Sequence, residues 1–184
     1  MMVGMMTPSA SPMILVYARV AAQAQGTAFA STAWFAGGYL LAWLLFSVAA
    51  TFAQYGLGQA LSPLMALNSR AAAGALLIAA GLYQWTPLKQ ACLRRCRSPL
   101  EFLMTEWREG RLGALNMGLR HGTYCLGCCW MLMLLLFVGG IMNIAWIAAV
   151  AAFVLIERVA PAGHWIGRVV GVLLVVWGAA ILVF

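Results

Sequence analysis

The chain contains no aspartate, and all four of its acidic residues are glutamates. This rules out a serine–histidine–aspartate set and any aspartate-built carboxylate pair. Charge of either sign is scarce. Only 8% of the 184 residues are charged, where a soluble domain carries about a quarter, so a water-facing globular fold is excluded. A phosphate-binding glycine loop, a paired-histidine helix motif and a Cys-x-x-Cys-His haem attachment are also missing. Hydrolase, ATPase and c-type haem chemistry therefore have no basis in these residues, which favour a binding role over catalysis and leave thiol–disulfide exchange as the enzymatic alternative.

Apolar sequence is abundant: 65% of the residues are hydrophobic, and they fall in long blocks. Barrel strands would alternate apolar and polar over about ten residues. Continuous runs instead specify helices that cross a bilayer. The fold class expected is all-α, a polytopic transmembrane helical bundle with an amphipathic interfacial segment. The formal charge is +7, and seven of the eleven basic residues (Lys89, Arg94, Arg95, Arg97, Arg108, Arg111 and Arg120) lie in one segment between apolar blocks. The positive-inside rule assigns such a segment to the cytoplasm. Its charge suits anionic lipid headgroups and gives no reason to expect a nucleic-acid partner.

Passing along the chain, spans are expected at residues 2–22, 31–55, 70–86, 123–156 and 165–184, within one integral membrane domain over 1–184. The first lacks the basic n-region of a signal peptide, and Pro8 and Pro12 break its outer half. Trp34, Tyr39, Trp43 and Tyr55 of the second are candidate interface anchors. A polar stretch, 56–70, precedes the third, short and small-residue-rich block. Residues 87–122 form the basic cytoplasmic loop, opened by Thr86 as N-cap and Pro87 at the first helical position. The stretch 123–156 would reach about 50 Å against a hydrocarbon core of roughly 30 Å. It is expected as one bent or projecting span, with a break near Gly139-Gly140 and Asn143 as the alternative. These spans put the N-terminus and residues 157–164 outside.

Five cysteines carry the chemistry. Cys125 and Cys129 are one turn apart on a helix, Cys128 lies about 60° to their side, and Met133 continues the stripe one turn deeper. Cys92 and Cys96 form a second i, i+4 pair, with Lys89 one turn earlier. Nearby arginines and the helix start would favour thiolate. Thiolates and thioethers select Cu(I) or Zn(II), so Cys92, Cys96, Cys125, Cys128 and Cys129 are candidate metal ligands, with His121 and Met133 as weaker ones. The two pairs start at the same membrane face, and their convergence is expected. Two other readings of the same residues remain open: disulfide exchange between the pairs, and cysteine as a small hydrophobe in a packed interface. Met2, Met5 and Met6 form a thioether group, echoed by Met131, Met133 and Met142. Glu157 is expected to pair with its neighbour Arg158, and His164 is a remote ligand candidate.

Several motifs together carry a resemblance. They are Met5-Met6-Thr7-Pro8 with Pro12; Tyr83-Gln84-Trp85-Thr86-Pro87-Leu88-Lys89 with Cys92 and Cys96-Arg97-Ser98-Pro99; Cys125-Leu126-Gly127-Cys128-Cys129-Trp130; and Met142-Asn143 with Glu157-Arg158. Over nearly its whole length the chain resembles an uncharacterised bacterial family described as predicted metal-binding integral membrane proteins of unknown function. The resemblance implies metal binding, a bacterial cytoplasmic (inner) membrane location and a further helix upstream; Glu157-Arg158 replaces a more usual Glu-Lys. Three functions follow as expectations. The first is metal handling for transport, sensing or delivery, with a membrane or periplasmic protein as partner. The second is a membrane thiol–disulfide oxidoreductase, and the third a non-catalytic membrane subunit with structural cysteines.

Overall fold

The computed structural model describes residues 2–25, 28–139, 143–160 and 162–183. Its elements are α1 (Met2–Gln25), α2 (Ala28–Tyr83), α3 (Pro87–Arg97), α4 (Pro99–Glu106), α5 (Gly110–Gly139), α6 (Ile144–Val159) and α7 (Gly163–Val183). Among the described residues there is no strand, as expected of an all-α chain.

The breaks fall in different places from those expected. α1 runs through both prolines. Pro12 has no N–H to give the carbonyl four residues back. That carbonyl, on Pro8, instead accepts from the Ser11 hydroxyl at 2.8 Å, so the turn keeps its acceptor satisfied. α2 covers both the second and third blocks, with the polar stretch 56–70 inside its bounds. Side-chain polarity does not interrupt a ladder made by backbone groups. α5 begins at Gly110, ahead of Thr123, and so takes in Arg111, Arg120 and His121 from the expected loop.

The stretch 123–156 is divided between two helices. α5 ends at Gly139 and α6 begins at Ile144. Asn143 caps the new helix, its side chain accepting from the Trp146 amide at 3.2 Å. Gly140 and Met142 lie outside the described residues. Among the described residues three helical stretches are long and apolar enough to cross a membrane: Phe29–Gly56, Gly110–Leu136 and Gly163–Val183. A fourth arises if Arg70–Tyr83 and Pro87–Arg97, bent by 63°, count as one broken span. Hydrophobic length in the sequence alone suggests about five.

The chain divides into two compact units. The first comprises Met1–Phe46 and Ala91–Cys128. Its core gathers Met13, Tyr17, Phe35, Phe102, Leu103 and Met117, with Tyr17 and Phe35 stacked at 4.5 Å between ring centroids. Within it α2 and α5 approach with little side chain between them. A Cβ on Gly38 would meet the Leu115 carbonyl, and one on Gly118 the Phe35 carbonyl. Small residues at the crossing permit this backbone approach. Tyr39 and Trp43, expected as interface anchors, are 1% and 0% exposed in this packing, whereas Trp34 and Tyr55 are exposed.

The second unit comprises Ser47–Gln90 and Cys129–Phe184. α6 and α7 pair through the short connection at 160–162. The end of α2 lies on α7 through glycines on both helices, Gly74 by Gly178 and Gly81 by Gly171. Trp146 donates its indole N–H to the Leu135 carbonyl at 3.0 Å, closing α6 onto the end of α5.

Candidate metal centre

In the first unit, α3 brings Cys92 to α5. A Cβ on Gly127 would stand 2.6 Å from the Cys92 Sγ. The missing side chain at the centre of Cys125-Leu126-Gly127-Cys128 is thus the seat of a thiol from another helix. Cys128 is near enough to Cys92 for a charge on one to act on the other. Cys92 and Cys96 are half-buried, whereas Cys125 and Cys128 are buried. The convergence of the α3 and α5 motifs expected from the sequence is present for Cys92 and Cys128. Among the described residues no three His, Cys, Asp or Glu side chains surround a common point, and no disulfide joins the cysteines.

Cys125 is held by Tyr39. The tyrosine hydroxyl donates to the Met6 carbonyl at 3.1 Å. Its single proton is thereby used, so the contact of 3.2 Å between Tyr39 Oη and Cys125 Sγ has the thiol as donor. The Cys128 thiol donates to the Cys125 carbonyl at 3.1 Å. Both are weak thiol hydrogen bonds between buried groups, with the thiol as donor in each. Met6 is fully buried and Met5 half-buried; the side chain of Met2 lies outside the described residues.

His121, expected from the sequence as an interfacial residue, is 1% exposed. Phe102, Tyr39 and Phe35 surround its ring at centroid distances of 5.5, 6.0 and 6.2 Å. The correction follows from the earlier start of α5, which draws His121 well inside the helix. In the second unit, Cys129 and Met133 on α5 are buried, at 1% and 0% exposed. His164 is half-buried, on α7, with its ring tilted against Trp165.

Lys89 does not serve the thiols. Its ammonium donates to Glu157 Oε1 at 2.6 Å, to Glu157 Oε2 at 2.9 Å, and to Gln84 Oε1. An ammonium has three donors, so all three are used in the second unit. Glu157 therefore pairs with Lys89, 68 residues away in the sequence. The charge rule places residues 157–164 on the side opposite the basic segment, and in the structure Glu157 lies against Lys89.

Three features of these sites are not apparent from the sequence. Gln84 accepts from Lys89, Tyr39 orders Cys125, and Gly127 makes room for Cys92. A glycine inside a helix next to thiols is the available signal for the last, because glycine in a helix interior costs about 1 kcal/mol relative to alanine. Thr86 behaves as expected, accepting from the Lys89 amide at 3.4 Å at the start of α3.

The arrangement is thus an all-helical chain in which a half-buried thiol of α3 meets buried thiols of α5 beside buried thioether and imidazole groups. The chain matches the model of the family described as PpoB2, copper chaperone, over residues 1–181, and it belongs to that family. No curated protein and no solved structure matches it. The family description names copper, the softer of the two metals that the cysteines suggest.

Proposed function

We propose that this protein is a multi-pass inner-membrane copper handler that takes up Cu(I) through thiols of α3 and α5 and passes it to a protein partner. Cys92, Cys125 and Cys128 are the principal ligands, with Cys96 one turn beyond Cys92 and Cys129 next in sequence to Cys128. The observation that carries the reading is the Cys92 thiol seated on Gly127 next to Cys128. Copper is the cargo here. Soft thiolates hold Cu(I) at low coordination number and exchange it by successive replacement of one sulfur by another. A set of half-buried and buried thiols drawn from two helices suits temporary holding.

Membrane residence is supported by what the helices leave uncovered. Leu44, Leu45 and Phe52 of α2 are 55%, 58% and 72% exposed, and Leu173 and Val176 of α7 are each 61% exposed. Contiguous apolar surface of this kind needs lipid or protein against it. The basic residues of α3 and the start of α5 then face the cytoplasmic leaflet.

Copper content is the direct test. The full chain, purified in detergent and loaded anaerobically with Cu(I), is expected to retain copper in stoichiometric amount after desalting. Cys92→Ser and Cys128→Ser are each expected to lose most of it. A wild-type protein that retains no copper overturns the reading. If it also forms a reversible crosslink between Cys92 and Cys128 on oxidation, thiol–disulfide exchange takes its place.

A further inference from the structure

The soft donors of α5 extend beyond the cysteines. Met117, His121, Cys125, Cys129 and Met133 follow one another at four-residue steps along this one helix, and their exposures are 1%, 1%, 0%, 1% and 0%. Every rung of this i±4n ridge between residues 117 and 133 is a thioether, an imidazole or a thiol. The ridge winds slowly, by about 40° per step, so each rung neighbours the next although the two ends face different ways.

The spacing suits hand-over between neighbours. Residues four apart on a helix have Cβ atoms about 5–6 Å apart. Two metal–sulfur bonds of about 2.3 Å reach across roughly 4.6 Å. One soft ion can therefore be shared by two adjacent rungs before the first lets go.

The first rung lies against the chain's surface segment. Met117 Sδ accepts from the Arg108 amide at 3.4 Å, and Arg108, Glu109 and Gly110 are exposed. One turn deeper, His121 sits in its aromatic enclosure, and the next rung, Cys125, is held by Tyr39.

We propose that this ridge is a Cu(I) relay, with Met117 as the entry rung and His121 as the intermediate that delivers copper to Cys125. The proposal rests on the copper-handling reading above. Copper remains Cu(I), and no electron moves. At each step one copper–ligand bond breaks as the next forms. On arrival at Cys125 the thiol proton passes to the His121 nitrogen that copper has just left, so charge and atoms balance.

The relay makes a kinetic prediction that a static site does not. Cu(I) is mixed anaerobically with the purified full chain, and the ultraviolet thiolate-to-Cu(I) charge-transfer absorption is followed by stopped flow. Met117→Leu, a volume-conserving change, and His121→Gln are each expected to slow copper arrival at the cysteines by about tenfold or more. Equilibrium affinity, measured against a chromogenic Cu(I) chelator, is expected to stay within about threefold of wild type. Met131→Leu, a methionine off the ridge, should leave the rate unchanged. Wild-type rates in both Met117→Leu and His121→Gln overturn the relay while leaving the copper reading intact. So does a loss of equilibrium affinity in both as large as that in Cys125→Ser, which would mean one fixed site. Absence of the absorption in the wild type overturns both readings.

Discussion

The two units bury polar groups in opposite ways. In the second, Lys89 is 0% and Glu157 2% exposed, and each ammonium hydrogen meets an oxygen. Gly167 and Gly171 of α7 leave the space for this: a Cβ on Gly167 would strike Glu157 Oε1, and one on Gly171 would approach Gln84 Cβ at 3.0 Å. In the first unit the buried polar groups include sulfurs held by thiol hydrogen bonds of 3.1–3.2 Å. The hard centre is closed, because any ligand entering it must displace a charge-assisted hydrogen bond. The soft centre gives up little when a soft ion enters. The difference explains why burial alone does not identify a binding site; what matters is how strongly the buried groups are already held.

The largest effect should come from opening the closed centre on one side. Lys89→Met or Glu157→Leu alone strands a buried charge, which costs about 3–5 kcal/mol. Denaturant unfolding in one detergent should show that loss in each single variant and a much smaller one in the double variant, since an apolar pair of similar volume substitutes well for a buried ion pair. Single variants within about 1 kcal/mol of wild type, the range of an exposed pair, would show that the centre is open to water.

A one-carbon addition to each centre sharpens the comparison. Gly167→Ala and Gly127→Ala both place a methyl group against a neighbouring side chain, and overpacking of this kind costs about 1–3 kcal/mol. The expected difference is functional. Gly167→Ala should lower stability and leave copper retention intact, whereas Gly127→Ala should push Cys92 away from Cys128 and release copper. Equal copper retention in the two variants would separate Cys92 from the metal.

The helical class is legible in the sequence because hydrophobic block length is a direct consequence of bilayer thickness. Thr86-Pro87 as a helix start is legible too, as is the approach of Cys92 to Cys128, because these depend on local chemistry and on motifs at one membrane face. The break before Asn143 is visible only as an alternative, since glycine and asparagine permit a turn without requiring one. The Lys89–Glu157 pair joins residues 68 apart in sequence, and no periodicity encodes such a contact. Met117 draws no notice in a sequence whose span is expected to start at Thr123. A helix beginning at Gly110 turns an isolated loop methionine into a rung.

The smallest effect concerns Tyr39, the residue through which the soft centre is ordered. Tyr39→Phe removes the hydroxyl that donates to the Met6 carbonyl and accepts from Cys125, while keeping the ring that packs at 6.0 Å from His121. A lost hydrogen bond of this kind costs about 1 kcal/mol, a little more where a buried carbonyl is left without its donor. Unfolding midpoints should register that small loss. Copper stoichiometry should not change, because the phenol orients Cys125 and supplies no bond to the ion. The Cys125 thiol, released from the phenol oxygen, should react faster with a small neutral alkylating reagent than in the wild type. If Tyr39→Phe instead abolishes copper retention, the phenol oxygen belongs among the ligands, and the soft centre is less purely sulfur than its residues indicate.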